Sequence, residues 1–280
     1  MLNINKSSVF IIISVLLFPL YGFSKSQEKR NVLYVSSFTN NNSWSINCKE
    51  AMMKKFKKEG YTIYLKEIYL DEKSNSEEKR IEIIKNYFSK NKEHIDVIVA
   101  FDYGATNLFL TYTDSIISKI PIVFVSELET GRTVDFKNIT GITSDYGIGR
   151  VYKNGLKIFP NTRKVYVWAD KSPTGEFFMK QAKQTLCAYE NEGIEIEYGV
   201  DAKNKEELLT KFRNVEPYSF ILFSTWQVDD NGQLYISNDL YPEIIKSTNV
   251  PIFTVFDGFV GSGFVGGFVQ VAKNNGEAAA

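Results

Sequence analysis

The sequence predicts an α/β protein made of two doubly wound parallel-sheet lobes joined by a hinge. Three observations carry that expectation. Apolar runs alternate with stretches of helical period along the whole chain after its first segment. Those runs are nearly continuous rather than alternating, the mark of strands buried on both faces of a parallel sheet. The second half repeats the pattern of the first at an offset of about 120 to 135 residues, far longer than a solenoid period, so it is a second copy of one lobe.

In chain order, Val32–Phe38 reads as a buried strand, Trp44–Glu59 as an amphipathic helix closed by Gly60, and Tyr61–Leu70 as a second strand. Helix Glu77–Lys90, strand Ile95–Asp102, helix Ala105–Ile117 and strand Pro121–Val125 come next. In the second copy Val165–Asp170 matches the opening strand, Phe220–Thr225 matches Ile95–Asp102, and Val250–Asp257 matches Ile120–Glu127. Continuing the match sets Phe264–Val269 against Ile139–Thr143, each the last strand of its lobe before a crossing. The expected organisation is a signal peptide over 1–24, an N-terminal lobe over 31–145, a C-terminal lobe over 146–262, and over 263–280 a crossing strand and the start of a final helix returning to the first lobe.

The N-terminus sets the compartment. Lys6, the apolar run Val9–Leu20, and Gly22 and Ser24 ahead of a polar stretch make a secretory signal peptide, with an uncleaved anchor as the alternative. No cysteine lies there, which excludes a lipoprotein anchor. The rest of the chain then belongs outside the cytoplasm, on the periplasmic side of a bacterial inner membrane. With 33 basic and 33 acidic residues the chain has no net charge and no basic footprint for nucleic acid.

Cys48 and Cys187 each fall on an expected helix and read as small apolar core residues. With two separated cysteines and one histidine, His94, no zinc cluster can be assembled; a site of oxygen ligands alone stays open, and no cofactor is expected. Gly261, Gly263 and Gly266 spell G-x-G-x-x-G, yet they lead into the strand-like run Phe268–Val271 instead of the helix a dinucleotide needs. Glycines at such a place serve tight turns and close backbone approach.

Several motifs then resemble a known family: Asn138–Ile142, Gly155–Asp170, Ser172–Gly175, Asp229–Gly232, Val250–Phe253 and Gly263–Gly267. In this order and spacing they are similar to the ABC-transporter substrate-binding-like family of type I periplasmic binding proteins, from about residue 31 to the end. The closest likeness is to members forming the extracytoplasmic sensor regions of bacterial membrane histidine kinases. The resemblance implies a ligand cleft between the lobes and lobe closure on binding. It also implies a final helix followed by a return segment, so the chain is expected to stop inside that helix. Partners would be a small molecule and either kinase modules in the same chain or an ABC permease; a homodimer is compatible.

Ligands in open α/β sheets bind at the carboxyl ends of the strands, so the candidate residues sit there. The first lobe offers Ser37, Phe38, Asn42 and Trp44, then Asp102, Tyr103 and Gly104, then Glu127, and Asp145 and Tyr146 at the crossing. The second offers Asp170, Thr174, Thr225, Trp226, Asp257 and Phe259, with Gly147, Gly263, Gly266 and Gly267 as hinge glycines. The aromatic rings suit a ligand with a flat or apolar part, and the carboxylates Asp102, Glu127 and Asp257 suit an amine or several hydroxyls. Ser172 ahead of Pro173 reads as a helix cap. His94 precedes a strand, at the end opposite the cleft, and Asp229–Gly232 reads as a tight turn, so the segment is not expected to be an enzyme.

Overall fold

The computed structural model describes residues 28–112, 117–126, 138–143, 145–190, 192–200, 202–235 and 237–280. The expected signal peptide and Glu127 lie outside the described residues.

The first lobe is built on β1 (Glu28–Ser36), α1 (Ser43–Lys58), β2 (Tyr61–Tyr69), α2 (Glu77–Lys90), β3 (Val97–Phe101), α3 (Asp102–Thr111), β4 (Ile122–Ser126) and β5 (Ile139–Thr143). Its sheet is parallel throughout, in the order β2-β1-β3-β4-β5. Successive residues of each inner strand enter opposite layers, as a period of two requires. Leu33, Val35, Ile98, Ala100, Ile122 and Phe124 fill one face. Val32, Tyr34, Val99, Phe101 and Val125 fill the other. Both faces being dry is why these strands read as unbroken apolar runs.

The second lobe comprises α4 (Ile148–Ile158), β6 (Lys164–Trp168), α5 (Pro173–Leu186), β7 (Glu195–Tyr198), α6 (Lys205–Arg213), β8 (Ser219–Phe223), α7 (Ser237–Ser247) and β9 (Ile252–Thr254). Its sheet runs β7-β6-β8-β9, again all parallel. Parallel bridges from Phe253 to Gly266 and from Phe256 to Gln270 lay the 266–270 segment beside β9, in the place β5 holds in the first lobe. The two sheets therefore share one order, as the sequence repeat requires.

The chain passes between lobes after β5 and again after Gln270, where α8 (Ala272–Ala279) docks back on the first lobe. Gly276 makes that docking tight: a Cβ there would stand 2.1 Å from the Cys48 carbonyl oxygen of α1. The two crossings also touch each other. Gly147 has φ +58 and leaves room only for the Phe268 ring, 2.2 Å from where a Cβ would be, and the Arg150 guanidinium covers that ring at 4.3 Å.

Two expectations change. The third helix begins at Asp102, three residues before the expected Ala105, and ends at Thr111. At that start Asp102 adopts φ +70, a left-handed conformation that aspartate tolerates better than most residues. Cys48 is buried as expected, but Cys187 is exposed, because it comes after the last turn of α5 in a 3-10 turn that leaves the packed face.

Candidate functional site

The strand order of each sheet reverses beside its first strand, at β1/β3 and at β6/β8, and opens a crevice at the carboxyl ends there. The two crevices face one another across a cavity of about 240 Å³. From the first lobe its wall is Phe38 after β1, Asn42, Ser43, Trp44 and Asn47 at the start of α1, Lys73 after β2, and Asp102 after β3. From the crossing and second lobe come Tyr146, Thr174, Thr225, Gln227 and Tyr241, then the run Phe256–Phe259 and Ser262.

Helix N-termini bring these side chains together. Asn42 caps α1 by accepting from the Ser45 amide at 3.0 Å, which fixes the turn that presents Trp44. Trp44 Nε1 donates to Asp102 Oδ1 at 3.0 Å, and its ring meets Phe256 edge to face at 5.5 Å. Phe256 is also packed edge to face against Tyr146 at 5.8 Å and Phe259 at 6.1 Å, and Phe259 against Tyr241 at 4.6 Å. Asp257 Oδ2 accepts from the Ala272 amide at the start of α8, and partial burial raises its carboxyl above the ordinary 3.8.

Beside the cavity the lobes are fastened by two adjacent residues of the loop after β2. Lys73 Nζ lies 3.0 Å from Asp170 Oδ2 and 3.2 Å from Thr225 Oγ1, and the side chains of the ion pair are 8% and 0% exposed. Burial pushes the Asp170 carboxyl up, but the Lys73 charge and hydrogen bonds from Ser172 and the Gln227 amide outweigh it, and its pKa is lowered from 3.8. Glu72 is the reverse case. It accepts from Thr174 Oγ1 at 2.5 Å, no donor among the described residues reaches its Oε2, and burial raises its pKa above 4.5. Gly104 makes space for that carboxyl, since a Cβ there would stand 1.8 Å from Oε2. Tyr103 stacks on Phe177 of α5 at 4.4 Å and adds an aromatic contact between lobes.

Of the residues named from sequence, Phe38, Asn42, Trp44, Asp102, Tyr146, Thr174, Thr225, Asp257 and Phe259 line the cavity. Others stand behind it. Ser37 is buried, donates to the Phe101 carbonyl and accepts from the Ala105 amide, so it caps α3. Asp170 is held by Lys73, Trp226 is buried against Tyr235, and Tyr103 and Gly104 lie in the contact between lobes. Asp145 bonds the Gly147 amide beside a separate depression over α4. Gly263 and Gly266 have φ of +112 and +106, and a Cβ on Gly267 would meet the Thr254 carbonyl at 2.2 Å, so these glycines are needed where the last strand turns and closes on β9. Asn47, Lys73, Gln227, Tyr241 and Phe256 were not foreseen. Asn47 stands one turn beyond Trp44 on α1, a spacing that could have revealed it.

His94 is 79% exposed and paired with Asp96. Asp229 accepts from the Asn231 and Gln233 amides, and Gly232 closes the turn with φ +77, so Asp229 serves the turn. Among the described residues no cluster of histidine, cysteine or carboxylates could hold a metal ion, and no helix is long and apolar enough to cross a membrane.

No family model matches the sequence, and no curated protein matches it. Solved structures do match. A conserved domain protein from Vibrio cholerae O1 biovar El Tor superposes with a TM-score of 0.64 at 15% identity, over 90% of this chain and 82% of its own. An ABC domain in complex with L-Trp from Streptococcus pneumonia gives 0.61 at 16% identity, over 91% and 82%. A chain of the XylFII-LytSN complex gives 0.57 at 14% identity, over 89% and 90%. At such identities the likeness is one of fold. Two parallel sheets of one order, crossed twice and facing each other across a cavity, give this chain the type I periplasmic binding protein fold.

Proposed function

We propose that this chain is an extracytoplasmic small-molecule-binding sensor domain, the input region of a transmembrane sensor histidine kinase that signals by lobe closure. The observation that carries the reading is the cavity at the carboxyl ends of both sheets, walled by both lobes and fastened beside it by Lys73–Asp170 and Glu72–Thr174. Ligand contacts on both walls favour the closed arrangement over an open one, and only such differential contact can shift the equilibrium. Gly147, Gly263, Gly266 and Gly267 serve the crossings as the hinge. Residues 1–24 carry the chain to the membrane and across it.

The similar structure in complex with L-Trp supports ligand binding, and the XylFII-LytSN complex supports assembly with a partner protein. Other similar structures are sugar and ribose ABC-transporter proteins, and they favour a second reading, delivery of a solute to a permease. Both readings require a ligand. Pools of small molecules are screened by thermal unfolding of the purified chain. A ligand at a hundred times its Kd stabilises by about 2.7 kcal/mol, or about 5 to 10 °C at this size. A screen in which no pool moves the transition counts against both. They part at the gene: a frame running past Ala280 into about 20 apolar residues and a kinase supports the sensor, and an early stop codon sinks it.

A further inference from the structure

The walls of the cavity are unequal in charge. Lys73 is the one cation among the described residues lining it, and its charge is already met by the buried Asp170. A carboxylate on a ligand would have to share Lys73 with that aspartate. Asp257 has no such cation: its carboxylate is met by backbone amides, those of Ala272 and Gly258 among them, and no lysine or arginine among the described residues pairs with it. Asp102, a second carboxylate, lines the same wall and accepts from Trp44.

Around Asp257 the surface is aromatic. Trp44, Tyr146 and Phe259 each meet Phe256, the residue just before it, edge to face within 5.5 to 6.1 Å. Aromatic rings carry negative faces that attract cations within about 6 Å, and a carboxylate at the edge of such a cluster adds to that attraction. An anion placed against this wall would face Asp257. The cavity holds the volume of about eight waters, enough for one ring system with a short arm.

We infer that the ligand is a small organic cation with a flat apolar body and no carboxylate, its ammonium group beside Asp257 and its ring among Trp44, Phe256 and Phe259. This rests on the reading of the cavity as a ligand site and adds the ligand's charge class.

One scaffold in four charge states tests it. Tryptamine, L-tryptophan, indole-3-propionate and indole-3-ethanol are titrated calorimetrically into the full chain at pH 7. Tryptamine is expected to bind at least about tenfold more tightly than the other three, with the preference shrinking as salt is raised. Asp257→Asn keeps an acceptor for the Ala272 amide and is expected to bring tryptamine to the level of indole-3-ethanol. Trp44→Leu is expected to weaken both of those compounds alike. L-Tryptophan or the propionate binding as tightly as tryptamine overturns the charge class and leaves the cavity a ligand site. So does an unchanged tryptamine affinity in a folded Asp257→Asn, or binding of a neutral sugar in place of all four indoles. Silence from the indoles and from every screened pool overturns both.

Discussion

Glu72 and Lys73 are neighbours in sequence with opposite electrostatic conditions, and each makes a prediction. Lys73 compensates a fully buried carboxylate, so Lys73→Met leaves Asp170 charged and without its partner. Breaking a buried pair in this way costs about 3–5 kcal/mol, measurable by urea unfolding at pH 7. In the parent the folded pKa of Asp170 lies below 3.8, so its contribution to stability is fully present above that value and lost as pH falls through the folded pKa. In Lys73→Met burial is opposed only by the bonds from Ser172 and the Gln227 amide, so the pKa rises and this acid-side loss should shrink. Glu72 runs the other way. Its folded pKa is raised by burial, so its contribution is full below 4.5 and is lost as pH rises through the folded pKa. Glu72→Gln removes that titration while keeping an acceptor for Thr174. Melting temperatures taken from pH 4 to 8 should show the variant gaining on the parent as pH rises; parallel curves would sink the account.

At the scale of elements, the strands were legible because burial on both faces leaves no polar positions to blur them, and the repeat was legible because β1, β3 and β4 have counterparts in β6, β8 and β9. The start of α3 was not, since the left-handed Asp102 is a backbone choice that no side-chain period announces. The cavity shows the same division. Phe38, Trp44, Asp102, Thr225 and Asp257 stand just past strand ends, where the fold class alone places a site. Ser37 and Asp170 stand there too, but serine and aspartate are equally the residues that cap helices, and only packing decides between the roles. Lys73 and Tyr241 depend on how a loop and a helix of different lobes come together, which no local pattern carries. The return of α8 to α1 is a similar tertiary fact, resting on Gly276. Gly276→Val drives side-chain atoms into the Cys48 carbonyl and is expected to cost about 1–3 kcal/mol. Hydrogen exchange should show the α8 amides losing protection while those of β6 and β8 keep theirs; undiminished protection in α8 would refute the close contact.

For the whole molecule the question is what holds two lobes together when a hinge would let them part. Beyond the chain crossings, the contacts among the described residues include the Glu72–Thr174 bond, the Lys73 cluster, the Tyr103–Phe177 stack and the Trp44–Phe256 contact. These groups would regain water on opening, so their worth to closure is the net value: about 0.5–1.5 kcal/mol for the hydrogen bond and about 0.5–1.5 for the aromatic pair. Removing both with Thr174→Val and Tyr103→Ala should shift the equilibrium toward the open form by about 1–3 kcal/mol, or about 5- to 150-fold. Neither contact is part of the core of a single lobe's sheet, so both lobes should stay folded. Small-angle scattering of the ligand-free double variant should then give a larger radius of gyration than the parent, and saturating ligand should bring the two together again. Ligand affinity should fall by the factor in which the closed fraction falls, because binding must now repopulate the closed form. A double variant as compact as the parent, with undiminished affinity, would mean that the crossings, the Lys73 cluster and the Trp44–Phe256 contact suffice to fix the lobes. The contacts of Thr174 and Tyr103 could not then be what balances the open form against the closed one.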